Sequence, residues 1–133
     1  MQSLITFEDL FVLILPTDHF MHELSIAQSI FSIVQQAVPA DQLGQVKTIY
    51  LKIGTLSGIE VDALIFSFDI LKEKSPFPSA TLSVEMIEAR ARCNDCGNVF
   101  SYEGFGTECP QCGSFSLTIV QGREMKVTGI DVD

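Results

Sequence analysis

Apolar and polar positions recur along this chain in patterns regular enough to assign elements from residue 21 onward. Ile26, Ile30, Ile33/Val34 and Ala37 follow a three- and four-residue spacing, which predicts a helix over Leu24–Ala37 with one apolar stripe. Ser25 and Gln28 fit a capping box at its start, and Pro39 follows its end. From Val46 to Ile53 the period changes to two: Ile49, Leu51 and Ile53 alternate with Tyr50 and Lys52, as in a strand with one buried face. Gly54–Gly58 is turn-rich. Val61, Leu64, Ile65, Phe68 and Leu71 then share one face of a second helix, about Val61–Lys74, which Ser75-Pro76-Phe77-Pro78 stops because proline cannot continue it. Ala80–Glu88 alternates again, with Leu82, Val84 and Met86 on one side. The order α-β-α-β predicts an α+β fold, a small mixed sheet covered by two helices.

The pattern breaks between Cys93 and Gly113, where glycine, cysteine, asparagine and aspartate replace any apolar period. Val99–Tyr102 and Ser116–Gln121 each have the composition of a short strand. Glu124–Val132 is a longer one, with Met125, Val127 and, past a bulge at Gly129, Ile130 or Val132 buried. Residues 89–121 therefore form a loop-rich insert, and the last strand returns to the first sheet.

The first twenty residues stand apart. Leu10–Leu15 is an apolar run closed by Pro16. No lysine or arginine precedes it, Glu8 and Asp9 do, and Pro16–Phe20 is no cleavage site, so it lacks the marks of a secretory signal. Six apolar residues fall far short of the roughly 20 that span a bilayer. Residues 1–20 are read as a leader or mis-assigned start ahead of Met21; the alternative is an added helical turn or strand capping the domain.

Composition narrows the chemistry. The chain has 133 residues, about one domain's worth, with 8 Lys+Arg against 17 Asp+Glu and a formal charge of -9. That balance argues against nucleic-acid binding, which depends on clustered basic residues. Its four cysteines form Cys93-x-x-Cys96 and Cys109-x-x-Cys112, a spacing that lets four thiolates converge on one ion as structural zinc requires. Glycine follows each pair, at Gly97 and Gly113, and Pro110 lies inside the second. An iron centre on similar turns is the serious rival. Disulfides lack a signal to an oxidising compartment, and a thioredoxin-like motif needs one CxxC on a helix.

His22 is the other candidate. Met21-His22-Glu23 precedes the first helix, and a chain starting at Met21 would place an α-amine one residue from the imidazole. Amine, deprotonated amides and imidazole form a nitrogen set suited to square-planar Ni(II) or Cu(II). In a chain starting at Met1, His19 and His22 with Asp18 are the remaining clustered ligands.

Met21–Ile30 (MHELSIAQSI) resembles the start of the HypA/HybF family of hydrogenase nickel-insertion proteins. Ile53–Ile59 (IGTLSGI), Phe66-Ser67-Phe68, the paired cysteine motifs and Gly122-Arg123-Glu124-Met125 extend the resemblance to about Val132. It implies a nickel metallochaperone with a nickel-binding α/β domain, 21–88 plus 122–133, and a zinc-ribbon domain, 89–121. It implies His22 as the essential nickel ligand with Glu23 in the same site, weaker roles for Met21 and Glu60, and Cys93, Cys96, Cys109 and Cys112 as zinc ligands. Zn(II) would be structural and Ni(II) the transferred cargo. The implied partners are an accessory GTPase and the large subunit of [NiFe] hydrogenase, with urease accessory proteins in some members. Location would be cytoplasmic, with no membrane or nucleic-acid partner, as a monomer or homodimer. The sequence departs from the family in its twenty-residue leader and in a ribbon without histidine. No nucleophile with a base, phosphate loop or carboxylate pair is evident, so no catalytic residue and no enzyme activity are expected. The alternative is a zinc-ribbon protein-interaction module without nickel delivery.

Overall fold

A computed structural model of the protein describes residues 3–6 and 23–133. The predicted α+β architecture is present: two α-helices, a four-stranded sheet and a separate three-stranded sheet. The described residues divide into two compact units. The first is drawn from Met1–Lys52, Ile59–Glu85 and Met125–Asp133, the second from Ile53–Gly58 and Met86–Glu124.

In the first unit, α1 (Glu23–Ala37) buries Ile26, Ala27, Ile30 and Val34, the stripe that the spacing predicts. The helix begins at Glu23, so Ser25 lies inside it and the expected capping box is not formed; Ser25 instead offers its carbonyl to the Ser29 hydroxyl at 3.1 Å. Pro39 opens a 3-10 helix, Ala40–Gln45, that the sequence reading did not anticipate. The second helix, α2 (Val61–Lys72), buries Leu64 and Phe68. The two helices meet at Phe31, whose ring stacks on Phe68 and Phe77 with centroids 4.9 Å apart in each pair, a geometry that adds about 0.5–1.5 kcal/mol to area burial. Beyond α2, the Lys72 ammonium donates to the Ala80 carbonyl at 2.9 Å and holds the proline-rich stop in place.

The sheet of this unit has the order β1-β7-β2-β3, from β1 (Ser3–Thr6), β2 (Val46–Gly54), β3 (Thr81–Ile87) and β7 (Met125–Val132). Ile49 and Leu51 of β2 join Met125, Val127, Ile130 and Val132 of β7 in the core. Burial along β7 falls at 125 and 127, then at 130 and 132, so the phase slips by one residue at Gly129, where the sequence suggested a bulge. The outer face carries Tyr50, Lys52, Ser83, Glu85 and Thr128 around an open hollow of about 280 Å³. Part of the leader belongs to this sheet. Ser3–Thr6 pairs antiparallel with β7, Ser3 opposite Val132 and Thr6 opposite Gly129, so the capping-strand alternative holds for these four residues. The apolar run Leu10–Leu15 lies outside the described residues.

The second unit holds the three-stranded sheet, order β5-β4-β6, from β4 (Arg90–Cys93), β5 (Val99–Ser101) and β6 (Leu117–Gln121). Here the two glycine motifs meet. Gly54 donates to the Glu124 carbonyl at 2.7 Å and Leu56 to that of Gly122 at 2.7 Å. A Cβ on Gly54 would lie 2.0 Å from the Gly122 oxygen; one on Gly122, whose φ is +115°, would lie 2.5 Å from Ala89 Cα. Backbone packs on backbone with no room between, which requires glycine at both positions. Replacing Gly122 by alanine is therefore expected to cost roughly 2–4 kcal/mol, left-handed strain plus overpacking, while Gly58→Ala, with open space around it, loses only the strain. Urea denaturation of the two variants would show the difference.

Candidate metal centre

Two six-residue turns present the cysteines, and they share one hydrogen-bond frame. In the first, Cys93 N–H donates to the Asn98 carbonyl at 2.8 Å and Gly97 N–H to the Cys93 carbonyl at 2.9 Å; in the second, Cys109 donates to Ser114 and Gly113 to Cys109, both at 2.8 Å. Each frame closes only if the residue after the second cysteine takes a left-handed conformation, and Gly97 and Gly113 do so with φ of +80° and +78°. The glycine amides close the turns through carbonyls. The sulfurs accept from other amides: Cys93 Sγ from Cys96 N–H at 3.5 Å, Cys109 Sγ from Gln111 N–H at 3.4 Å. Asn98 adds its side-chain amide to Cys109 Sγ at 3.9 Å, a partner that the cysteine spacing did not reveal. Asn94 ties the first turn to β6, accepting from Thr118 Oγ1 at 2.8 Å.

The turns bring all four sulfurs within 4.8 Å of one another. Two of the separations run between turns, Cys93 to Cys112 and Cys96 to Cys109, each 3.5 Å. A tetrahedral zinc with Zn–S near 2.3 Å needs sulfurs roughly 3.8 Å apart, so the cluster fits the ion, and the four thiols are free of disulfides. Such a site is full. It leaves no open position for substrate and supplies folding energy.

The electrostatics point the same way. The backbone N–H of Cys96 holds the Cys93 thiol below the ordinary thiol range against the opposing effect of burial. Burial pushes Cys109 up, but the amides of Cys112 and Gln111 and the neighbouring thiols outweigh it and bring that thiol down to about 6. For Cys112 the Ser114 amide pulls down, yet Cys93, burial and the other two sulfurs push it up to about 12. Cys96 is likewise raised: burial and its Cys109 and Cys93 neighbours outweigh the lowering Asn98 amide. Four thiolates this close repel, so one from each turn ionises readily and the other keeps its proton until a cation displaces it.

Metal also replaces a missing core. Between Ala89 and Gln121 the buried hydrophobic positions are Ala89, Ala91, Cys93 and Cys109, while Phe105 and Phe115 are exposed. Alanines cannot hold a domain together, whereas structural zinc supplies about 10–16 kcal/mol in comparable peptides.

Of the proposed nickel residues, Glu23 is the first residue of α1 and half-buried. Glu60 is the exposed N-cap of α2, with no side-chain capping bond. Met21 and His22, with His19 and Asp18, lie outside the described residues. Among the described residues the cysteine cluster is the one group of three or more metal-ligating side chains, and no helix is long and apolar enough to cross a membrane.

Known proteins match this arrangement. The family described as hydrogenase/urease nickel incorporation, metallochaperone, HypA matches residues 21–132. A hydrogenase maturation factor HypA from Albidiferax ferrireducens is 33% identical over 113 residues, 85% of this chain and all of that protein. Its counterpart from Chlorobium luteolum is 39% identical over 113 residues, 85% of this chain and 97% of that protein. The solution structure of the Ni metallochaperone HypA from Helicobacter pylori superposes with a TM-score of 0.60 at 24% identity, over 84% of this chain and 97% of that one. A second solution structure of a HypA protein gives 0.65 at 23% identity; both likenesses are of fold.

Zinc loading at neutral pH is expected to release protons, chiefly from Cys96 and Cys112, as titration calorimetry in buffers of different ionisation enthalpy would read. Acid acts in reverse: in the metal-free protein Cys109 takes up a proton as pH falls through about 6, so below that pH zinc must displace more protons to bind and its affinity falls more steeply with each unit of pH. Chelation at neutral pH should unravel residues 93–112 while the helical circular dichroism of α1 and α2 persists.

Proposed function

The chain belongs to the HypA family of hydrogenase and urease nickel-incorporation metallochaperones, and from that membership we propose that it binds Ni(II) and passes it to the large subunit of a [NiFe] hydrogenase. The observation that carries this reading is the extent of the match, Met21 to Val132, which takes in the Met21-His22-Glu23 start and all four cysteines.

His22 supplies the essential ligand and Glu23 a carboxylate in the same site; Met21 and Glu60 have lesser parts. Delivery needs a site that selects nickel and then yields it. Nitrogen ligands and geometry give the selection, since raw affinity favours copper. Weak anchoring gives the release, and Glu60, exposed at the start of α2, is placed to be exchanged for water or a partner's ligand. The leader keeps Met21 within the chain when synthesis starts at Met1, which removes the α-amine from the ligand set and leaves imidazole, carboxylate and amides.

Cys93, Cys96, Cys109 and Cys112 hold Zn(II) and keep the ribbon folded. Phe105 and Phe115, exposed beside Tyr102, Leu117 and Ile119 around a hollow of about 530 Å³, give the ribbon an apolar surface on which to receive a partner protein. The accessory GTPase of nickel insertion and, in urease-bearing cells, urease accessory proteins are the partners this reading implies. The work is transfer in the cytoplasm, with no catalytic residue.

Nickel titration of the full chain tests this. His22→Ala is expected to lower Ni(II) affinity at least about tenfold while leaving about one zinc per chain, and affinity should fall as pH drops through the usual imidazole range near 6.5. Unchanged nickel binding in His22→Ala would reject the site and leave the chain as a zinc-ribbon interaction module.

A further inference from the structure

The two faces of the ribbon sheet differ in kind, because residues directly opposite in antiparallel strands share a face. Ala91 stands opposite Phe100 and Ile119, and this side is apolar, with Ala91 buried. The other side is built on two arginines of the central strand, β4. Arg90 stands opposite Ser101 and Gln121, and Arg92 opposite Val99 and Thr118. Arg92, Val99, Ser101 and Thr118 are exposed, and Arg90 is half-buried.

Residues 89–121 contain no other lysine or arginine. Neither guanidinium takes part in an ion pair or a hydrogen bond among the described residues. Their polar neighbours are engaged elsewhere: the Ser101 hydroxyl donates to the Glu88 carboxylate, the Gln121 amide to the Glu88 carbonyl at 2.8 Å, and the Thr118 hydroxyl to Asn94 at 2.8 Å. Glu88 thus lies beside this row and is ion-paired to neither arginine. Two like charges on one strand face, with Cα atoms about 6.7 Å apart, repel in the free chain, and anions covering them relieve that repulsion.

An extended peptide repeats its side chains on one side at the same spacing. Carboxylates on alternate residues therefore meet both arginines together, each in the planar two-bond geometry that a guanidinium offers. The charge of -9 on the whole chain repels a uniformly anionic polymer and favours a partner whose carboxylates are few and local. Nucleic acid is disfavoured further, since Phe100 belongs to the other face and Tyr102 lines the hollow beside Leu117 and Ile119, which leaves this face no aromatic ring for a base to stack on.

We propose that the face centred on Arg90 and Arg92 docks an extended acidic segment of a partner protein, with carboxylates on alternate residues. It is a different surface from the apolar hollow at Phe105 and Phe115, and it does not depend on nickel binding at His22.

The probe is a synthetic peptide, Glu-Thr-Glu-Thr-Glu-Thr, titrated into the zinc-loaded full chain and followed by the amide resonances of the protein. Arg92, Val99 and Thr118 are expected to shift, and Phe105 and Phe115 to stay. Arg92→Glu should weaken binding at least about tenfold, with zinc content and circular dichroism unchanged. Arg92→Lys should also weaken it, because an ammonium lacks the guanidinium fork. Lys74→Glu makes the same change of charge at an exposed lysine of the other unit and should leave binding as it is. The rearranged peptide Glu-Glu-Glu-Thr-Thr-Thr should bind several-fold more weakly. Absent shifts, equal binding of the two peptides, or binding indifferent to Arg92→Glu would overturn the proposal. Tighter binding of oligouridylate with the same dependence on Arg92 would overturn it in favour of nucleic acid.

Discussion

Repulsion between four sulfurs held within 4.8 Å of one another is the constraint on which the second unit depends. Nothing in residues 89–121 buries enough apolar surface to stand against it, since the buried positions are two alanines and two cysteines. The turns therefore fold around a cation or not at all. Each feature of the turns serves that end: left-handed glycines close them, amides from Cys96 and Gln111 soften the charge on the inner sulfurs, and Asn94 ties one turn to β6. Metal here is an architectural component, chemically closed. The other unit needs no such component, since its helices and sheet are held by an ordinary core around Phe31, Phe68 and Phe77.

That division explains why the glycines of Ile53–Gly58 and Gly122–Met125 carry so much of the family's signature. Gly54 and Gly122 cross with no space for a side chain, and their amides and carbonyls knit the two segments together. The crossing stands where β2 ends and β7 is about to begin. A sequence motif that looks like a flexible turn is here a contact between two backbones.

Much of this was legible in the residues themselves. Helical spacing identified α1 and α2 because each buries one apolar stripe, and alternation identified β2, β3 and β7. The cysteine pairs announced the ribbon. What escaped detection shares a physical cause: those segments are stabilised by partners distant in sequence. β4 is four residues, Arg90–Cys93, with arginines at alternate positions, and it is a strand because β5 and β6 flank it. β1 exists because β7 offers an edge. Ser25 fits a capping box equally well from within the first turn of the helix, and only the observed start at Glu23 decides against it. The proposed nickel ligands rest on resemblance to a family, since one histidine beside a helix start has no spacing pattern that would mark it as a ligand.

The repeated hydrogen-bond frame of the two cysteine turns also bears on how freely the chain can vary. Each turn is complete within six residues, Cys93–Asn98 and Cys109–Ser114, and borrows nothing from the hairpin tip between them. That tip, with Gly104 and Gly106 in left-handed conformations around a wholly exposed Phe105, is closed by the ion at its base. Lengthening such a closed loop costs little, about 0.6 kcal/mol per doubling. The tip can thus be extended or recoded for a new binding partner while the metal site beneath it stays as it is.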